Sequence, residues 1–230
     1  MKFIIILLLI ALIFALPIVL LYKNKALINV RGLLLGILLY FVFRILIYPV
    51  ISLSVWNLSF IFKSIIDVIF LSTYTLIIKK FILVKFLHYT KENKAELFSI
   101  GIGESILEMI FVFVPTLLNT GMYAYLIEFG NIYLTLENSF TIEQINSFVT
   151  TINAIGFDYY AYLAFVITTI YLFNITNNYL LIYGYKYSIS ITLFFYTIYF
   201  LIAILNYWFA CLCLMVLIIC IYRINMIVKE

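Results

Sequence analysis

Two glutamates, Glu104 and Glu108, stand one helical turn apart in Gly101-Ile-Gly-Glu-Ser-Ile-Leu-Glu108, inside a stretch apolar enough to cross a bilayer. Residues four apart share a helix face, so both carboxyls point the same way, and Gly101 and Ser105 leave room for a close neighbour. Like charges repel and the bilayer interior penalises each of them, so this pair demands a neutralising proton or cation. A protonated and an ionised carboxyl side by side form an acid and base pair, which with an admitted water could attack a peptide carbonyl. The same arrangement would serve a proton relay or a cation site in a transporter, and it also suits an ion pair that only fixes helix register.

The cation nearest in depth is Arg44. At roughly 1.5 Å per residue it sits near the middle of its own apolar stretch, too deep to reach either interface easily. The same arithmetic puts Glu104 roughly 10 Å and Glu108 roughly 16 Å below the edge of theirs. Glu108 and Arg44 therefore reach similar depths from the same side, and the reading predicts an ion pair between them. Glu104 and Glu108 are the candidate catalytic residues. Arg44 and Asn119, the latter at the expected end of the same stretch, are the candidate binding residues.

Other chemistries lack their parts. The only histidine, His88, falls in a polar loop, so no Ser/His/Asp or Cys/His set can form and no span offers a histidine to zinc. No metal or other cofactor is expected. Gly101-x-Gly103 lacks the following glycine and the strand context of a dinucleotide loop. Cys211, Cys213 and Cys220 share the last apolar run, 211 and 213 point to different faces, and all three read as small apolar fillers.

Composition sets the surroundings of these residues. Of 230 residues, 67% are hydrophobic and 10% charged, with a mean hydropathy of +1.21, whereas an ordinary soluble domain carries about 25% charged residues. This is the composition of an integral membrane protein in contact with the lipid bilayer. No Lys or Arg occurs between Lys94 and Lys186, while seven acidic side chains do. Basic residues gathered into short loops write a membrane topology, and the contiguous basic face that nucleic acid requires is missing.

The fold class expected is all-α, a polytopic transmembrane helical bundle and a single domain of about seven spans, near 3–21, 32–54, 64–84, 97–118, 159–173, 187–204 and 207–222. Lys23, Lys25 and Arg31 mark one cytoplasmic loop, and Lys79, Lys80, Lys85, Lys91 and Lys94 mark the next. The amino terminus is then outside and the carboxy terminus inside. The first run is too long for a removable signal, and Pro17 is expected to kink it; Pro115 is expected to bend the fourth span. Gly32-Leu-Leu-Leu-Gly36 is a small-xxx-small pair suited to close packing. Asp67 lies one turn after Lys63, which predicts a local ion pair. Residues 120–157 read as an external segment, with 122–136 interfacial or re-entrant and Thr141-Ile-Glu-Gln144 a capping box that opens an amphipathic helix. Asn174 to Lys186 reads as a cytoplasmic loop.

Two of these stretches resemble the YhfC family of intramembrane proteases, related to the CAAX-processing proteases. Arg31 to Pro49 is similar to the family's second span, a Gly-apolar-Phe-Phe run ending in proline. Gly101 to Glu108 is similar to its G-x-G-H-G-G-x-E motif, keeping both opening glycines and the final glutamate. The likeness covers the span order up to Asn119 and fades beyond it. It implies a multi-pass protein of a prokaryotic plasma membrane that acts on a membrane-protein or peptide substrate, with Glu108 carried over directly. Glu104 stands where the family has histidine, and the acidic pair expected in the third span is replaced by Ser72 to Lys80. Three functions follow: a protease with Glu104 and Glu108 as acid and base, a non-catalytic scaffold or peptide-binding relative, and a small transporter component. The sequence does not set the oligomeric state.

Overall fold

A computed structural model of the chain describes residues 1–54, 57–90 and 92–229, so Lys91 and the final Glu230 lie outside the described residues. Among the described residues there is no strand, and six helices are long and apolar enough to cross a membrane: α1 (Lys2–Lys23), α2 (Val30–Ser54), α3 (Phe60–Phe86), α4 (Lys94–Glu128), α7 (Phe157–Tyr183) and α8 (Tyr185–Leu205). Two short helices, α5 (Ile132–Leu136) and α6 (Ile142–Ala154), lie between α4 and α7, and a further apolar helix, α9 (Tyr207–Lys229), closes the chain. The chain is an all-α, multi-pass membrane protein. The lysine-rich connections gather at one end of the bundle, here the basic end, and Glu128, Glu137, Glu143 and Asp158 at the other, the acidic end.

Close packing begins where side chains are absent. Among lipid tails no hydrophobic force drives helices together, so association depends on small residues that let backbones meet. A Cβ on Gly36 would fall 2.2 Å from the Ile100 carbonyl oxygen, and one on Gly32 would fall 2.6 Å from that of Glu96, so the small-xxx-small pair of α2 is pressed onto α4. The two glycines of the Gly101-x-Gly103 motif face opposite neighbours: Gly103 meets Leu33 of α2, and Gly101 meets Ile175 of α7. Polar clamps add to this contact. Asn29 caps α2 by accepting from Gly32 N at 2.9 Å, and Ser99 Oγ accepts from Asn29 N at 2.8 Å while donating to the Leu27 carbonyl at 3.1 Å.

α7 is the central column. Its buried residues lie on every side, from Tyr160 through Val166, Ile167, Ile170, Tyr171 and Phe173 to Leu180, as expected of a helix enclosed by others. α1, α4, α8 and α9 pack around it through Ile6, Ile13, Met109, Phe195, Leu214 and Leu217. Ser105, on the α7 side of α4, accepts from Asn174 Nδ2 at 3.1 Å.

Several expectations need correction. The fourth span does not end at Asn119: α4 continues without a break to Glu128, so 122–128 belongs to that span and the chain turns only at 129–131. Polar side chains on a helix face are tolerated when the buried face continues, and Gly121 and Ala124 stay buried past Asn119. The expected loop from Asn174 to Lys186 is mostly helix. α7 runs to Tyr183, and only Gly184 separates it from α8, because Asn177 and Asn178 find partners in the interior: Ser188 Oγ donates to Asn177 Oδ1 at 2.5 Å, and Asn178 Nδ2 donates to the Leu97 carbonyl at 3.3 Å. The capping box forms as read, with Gln144 N on Thr141 Oγ1 at 3.3 Å and Thr141 N on Gln144 Oε1 at 2.9 Å. α1 runs on through Pro17 to Lys23.

Candidate functional site: two buried ion pairs beside a side-opening cavity

Four charged side chains in the interior of the bundle form two pairs. Arg44 of α2 donates from Nη2 to Glu108 Oε1 at 2.7 Å, the pair that the depth arithmetic predicts. Glu104, one turn earlier on α4, is bound instead by α3, where Lys79 donates from Nζ to Oε2 at 2.5 Å. The side chains of the second pair are only 3% and 5% exposed, so no solvent shell shares the neutralisation. Two anions on one face of α4 are thus balanced by two cations from two other helices, and the cluster sums to zero charge. The expectation that Glu104 and Glu108 form a mutual acid and base pair is met by a different arrangement, with each carboxylate engaged by its own cation.

Lys79 is the residue the sequence reading missed. By sequence it reads, with Lys80, as part of the basic loop. At about 100° per residue, Lys79 lies about 120° around an unbroken helix from Asp67, which hides it from a periodicity test. A wide, π-type turn over Tyr74–Ile78 inserts about one extra residue and cancels most of that angle, so Asp67, Thr75 and Lys79 all face inward. Lys80 points elsewhere and lies 3.3 Å from the Tyr185 ring centroid. A signal was available: the depth comparison that pairs Arg44 with Glu108 also puts Lys79 and Glu104 within one side-chain length of each other.

Similar wide turns flank the other pair. Phe41–Ile47 contains Arg44, and Met109–Phe113 follows Glu108. Each has a proline just beyond it, Pro49 and Pro115, whose ring lacks an N–H and crowds the carbonyl four residues earlier. Local widening of the helix relieves both effects. The prolines therefore loosen α2 and α4 at the level of their charged residues, where such turns are often found at functional sites.

Hydroxyls and amides from α3, α7 and α8 complete the surroundings. Tyr196 OH and Thr75 Oγ1 are 3.2 Å apart, and the buried Asn178 amide donates to the Leu97 carbonyl. Tyr74 is buried with its ring 4.3 Å from that of Phe43, and its hydroxyl, like Ser72 Oγ, has no hydrogen-bond partner among the described residues. Asn119 is not part of this site. It lies on the exposed face of α4, well past Glu108.

Towards the acidic end, a cavity of about 610 Å³ opens among α3, α4, α7, α8 and α9. Lys63, Ser64 and Asp67 of α3 form one wall. Tyr159, Tyr162, Tyr199, Phe200 and Tyr207 form the facing one. Lys63, one turn earlier, acts electrostatically on Asp67, and Asp67 also takes a hydrogen bond across helices, from Tyr48 OH to Oδ1 at 2.7 Å. Arg44 lies 5.5 Å from the Tyr48 ring centroid, so Tyr48 joins the cavity to the ionic cluster.

Among the described residues no group of three or more His, Cys, Asp or Glu side chains is placed to hold a metal ion. His88 is exposed, with a left-handed φ of 52°, in the loop between α3 and α4. Cys211, Cys213 and Cys220 are free thiols at three different degrees of exposure. Comparison of the chain with family models, with curated proteins and with solved structures finds no match.

Proposed function

We propose that the chain is a non-catalytic membrane scaffold, a seven-span bundle with its acidic end outside, whose buried charges hold α2, α3 and α4 in register. The observation that carries this reading is that both glutamates of the Gly101–Glu108 stretch are engaged by a basic side chain from another helix. General-base hydrolysis needs a carboxylate that can take a proton from water, and a carboxylate bound at hydrogen-bonding distance to Lys or Arg gives up that role. On this reading, the likeness to the YhfC family reflects a shared helix arrangement in which the packing glycines and Glu108 serve structure. Lys79 then supplies to Glu104 a charge that the family's histidine does not require. The scaffold's partner is another membrane protein or a peptide segment within the bilayer.

The test is reconstitution into liposomes with labelled membrane-spanning peptides. The reading expects intact peptides with the wild-type protein and with Glu104→Gln and Glu108→Gln, together with reduced thermal stability in both variants. Cleavage by the wild type that either substitution abolishes would establish the protease reading instead.

A further inference from the structure

The cavity at the acidic end has a chemistry that the scaffold reading leaves unused. Its α3 wall carries one anion and one cation a turn apart, Asp67 and Lys63, together with the Ser64 hydroxyl, while its opposite wall is aromatic. A carboxylate facing tyrosine rings suits an ammonium group, which the negative faces of the rings also attract. Lys63 beside it makes the wall electrically neutral overall, so the complementary ligand carries both signs and not a lone positive charge. The size of about 610 Å³ lies within the range of ligand-binding cavities, roughly 300–1,000 Å³.

The opening says where such a ligand comes from. Phe60, Val112, Thr116 and Ile204 line the cavity and are themselves exposed, and all four sit on helices apolar enough to span a membrane. The mouth is therefore lateral, between helices, and faces the acyl region. A ligand entering there has an apolar body as well as a zwitterionic head.

We propose that this cavity binds a zwitterionic phospholipid of the phosphatidylethanolamine type. Its ammonium is held by Asp67 against the Tyr159, Tyr199 and Tyr207 wall, its phosphate lies on Lys63, and its acyl chains leave through the gap at Val112 and Thr116. Tyr48 holds Asp67 from the far side, so binding engages α2 as well as α3. This site is separate from the two ion pairs, and its occupancy does not depend on the scaffold reading.

The experiment is native mass spectrometry of the purified full chain released from nanodiscs that contain equal amounts of phosphatidylethanolamine and phosphatidylglycerol. The expected result is one retained phosphatidylethanolamine. Asp67→Asn should lower its retention about tenfold, as loss of a charged hydrogen-bond partner does. Ala203→Trp, which fills the cavity without touching a charge, should abolish retention while circular dichroism stays that of the wild type. Equal retention of the two lipids, or retention insensitive to both substitutions, would overturn the proposal. So would displacement by water-soluble glycerophosphoethanolamine at equal concentration, which would make the ligand a soluble zwitterion.

Discussion

Replacing Arg44 with Met removes the cation from Glu108 and leaves a carboxylate whose side chain is 9% exposed facing a hydrophobic neighbour. Breaking a buried pair in this way costs about 3–5 kcal/mol, because the remaining charge keeps its desolvation penalty and loses its compensation. Glu108→Met should cost a similar amount for the opposite reason, since Arg44 is 13% exposed and has too little water to stabilise it alone. The double variant Arg44→Met with Glu108→Met removes both penalties together, and replacing a whole buried pair with apolar side chains is neutral or stabilising by about 1–4 kcal/mol. The two single effects therefore cannot add, and the coupling energy should reach several kcal/mol. Reversible unfolding in mixed detergent micelles, followed by circular dichroism, measures all four corners of the cycle. High salt should change the result little, since screening acts on exposed charges. Additivity within about 0.5 kcal/mol would mean that the two groups do not interact, and it would refute the reasoning.

Two further outcomes follow from neighbouring residues with opposite environments. Lys79→Met should destabilise the protein by about 3–5 kcal/mol, whereas Lys80→Met should cost about 0.5–1 kcal/mol, the worth of a half-buried cation over a ring; the same unfolding assay compares them. Gly36→Ala should cost about 1–3 kcal/mol, because its Cβ would fall on the Ile100 carbonyl and backbone cannot yield. Gly121→Ala should be milder, since there the obstacle is the end of the Ile6 side chain at 3.1 Å, and thermal denaturation of the two variants side by side checks the order.

The sequence revealed the helical class and the long apolar helices, though not all their ends, because apolar runs of this length have few other uses. It also revealed the Arg44 and Glu108 pair, because helical rise turns residue number into depth. Lys79 was hidden by the tandem Lys79-Lys80, which reads as a basic loop until the wide turn at Tyr74–Ile78 directs one lysine inward and leaves the other outside. The inner half of α7 was hidden because Asn174, Asn177 and Asn178 look like loop residues, and only their partners Ser105, Ser188 and Leu97 show how a polar helix stays buried. Asn119 looked like a helix stop for the same reason, and it proves to be a polar side chain on the exposed face of a longer helix. For Asn174 and Asn178 the deciding contact comes from a segment distant in the chain, which hydropathy and local spacing do not encode.

The central claim is that Glu104 and Glu108 are each held by a cation from another helix, and the closer pair permits a direct chemical test. A hydrophobic carbodiimide added to the folded protein in liposomes activates a buried carboxyl, and an amine in contact with it displaces the urea to form an amide. With Lys79 Nζ 2.5 Å from Glu104 Oε2, peptide mass spectrometry should find a Lys79–Glu104 cross-link, one water lighter than the two separate peptides. Glu104 recovered as a carbodiimide adduct, with Lys79 open to a water-soluble amine reagent, would contradict the account.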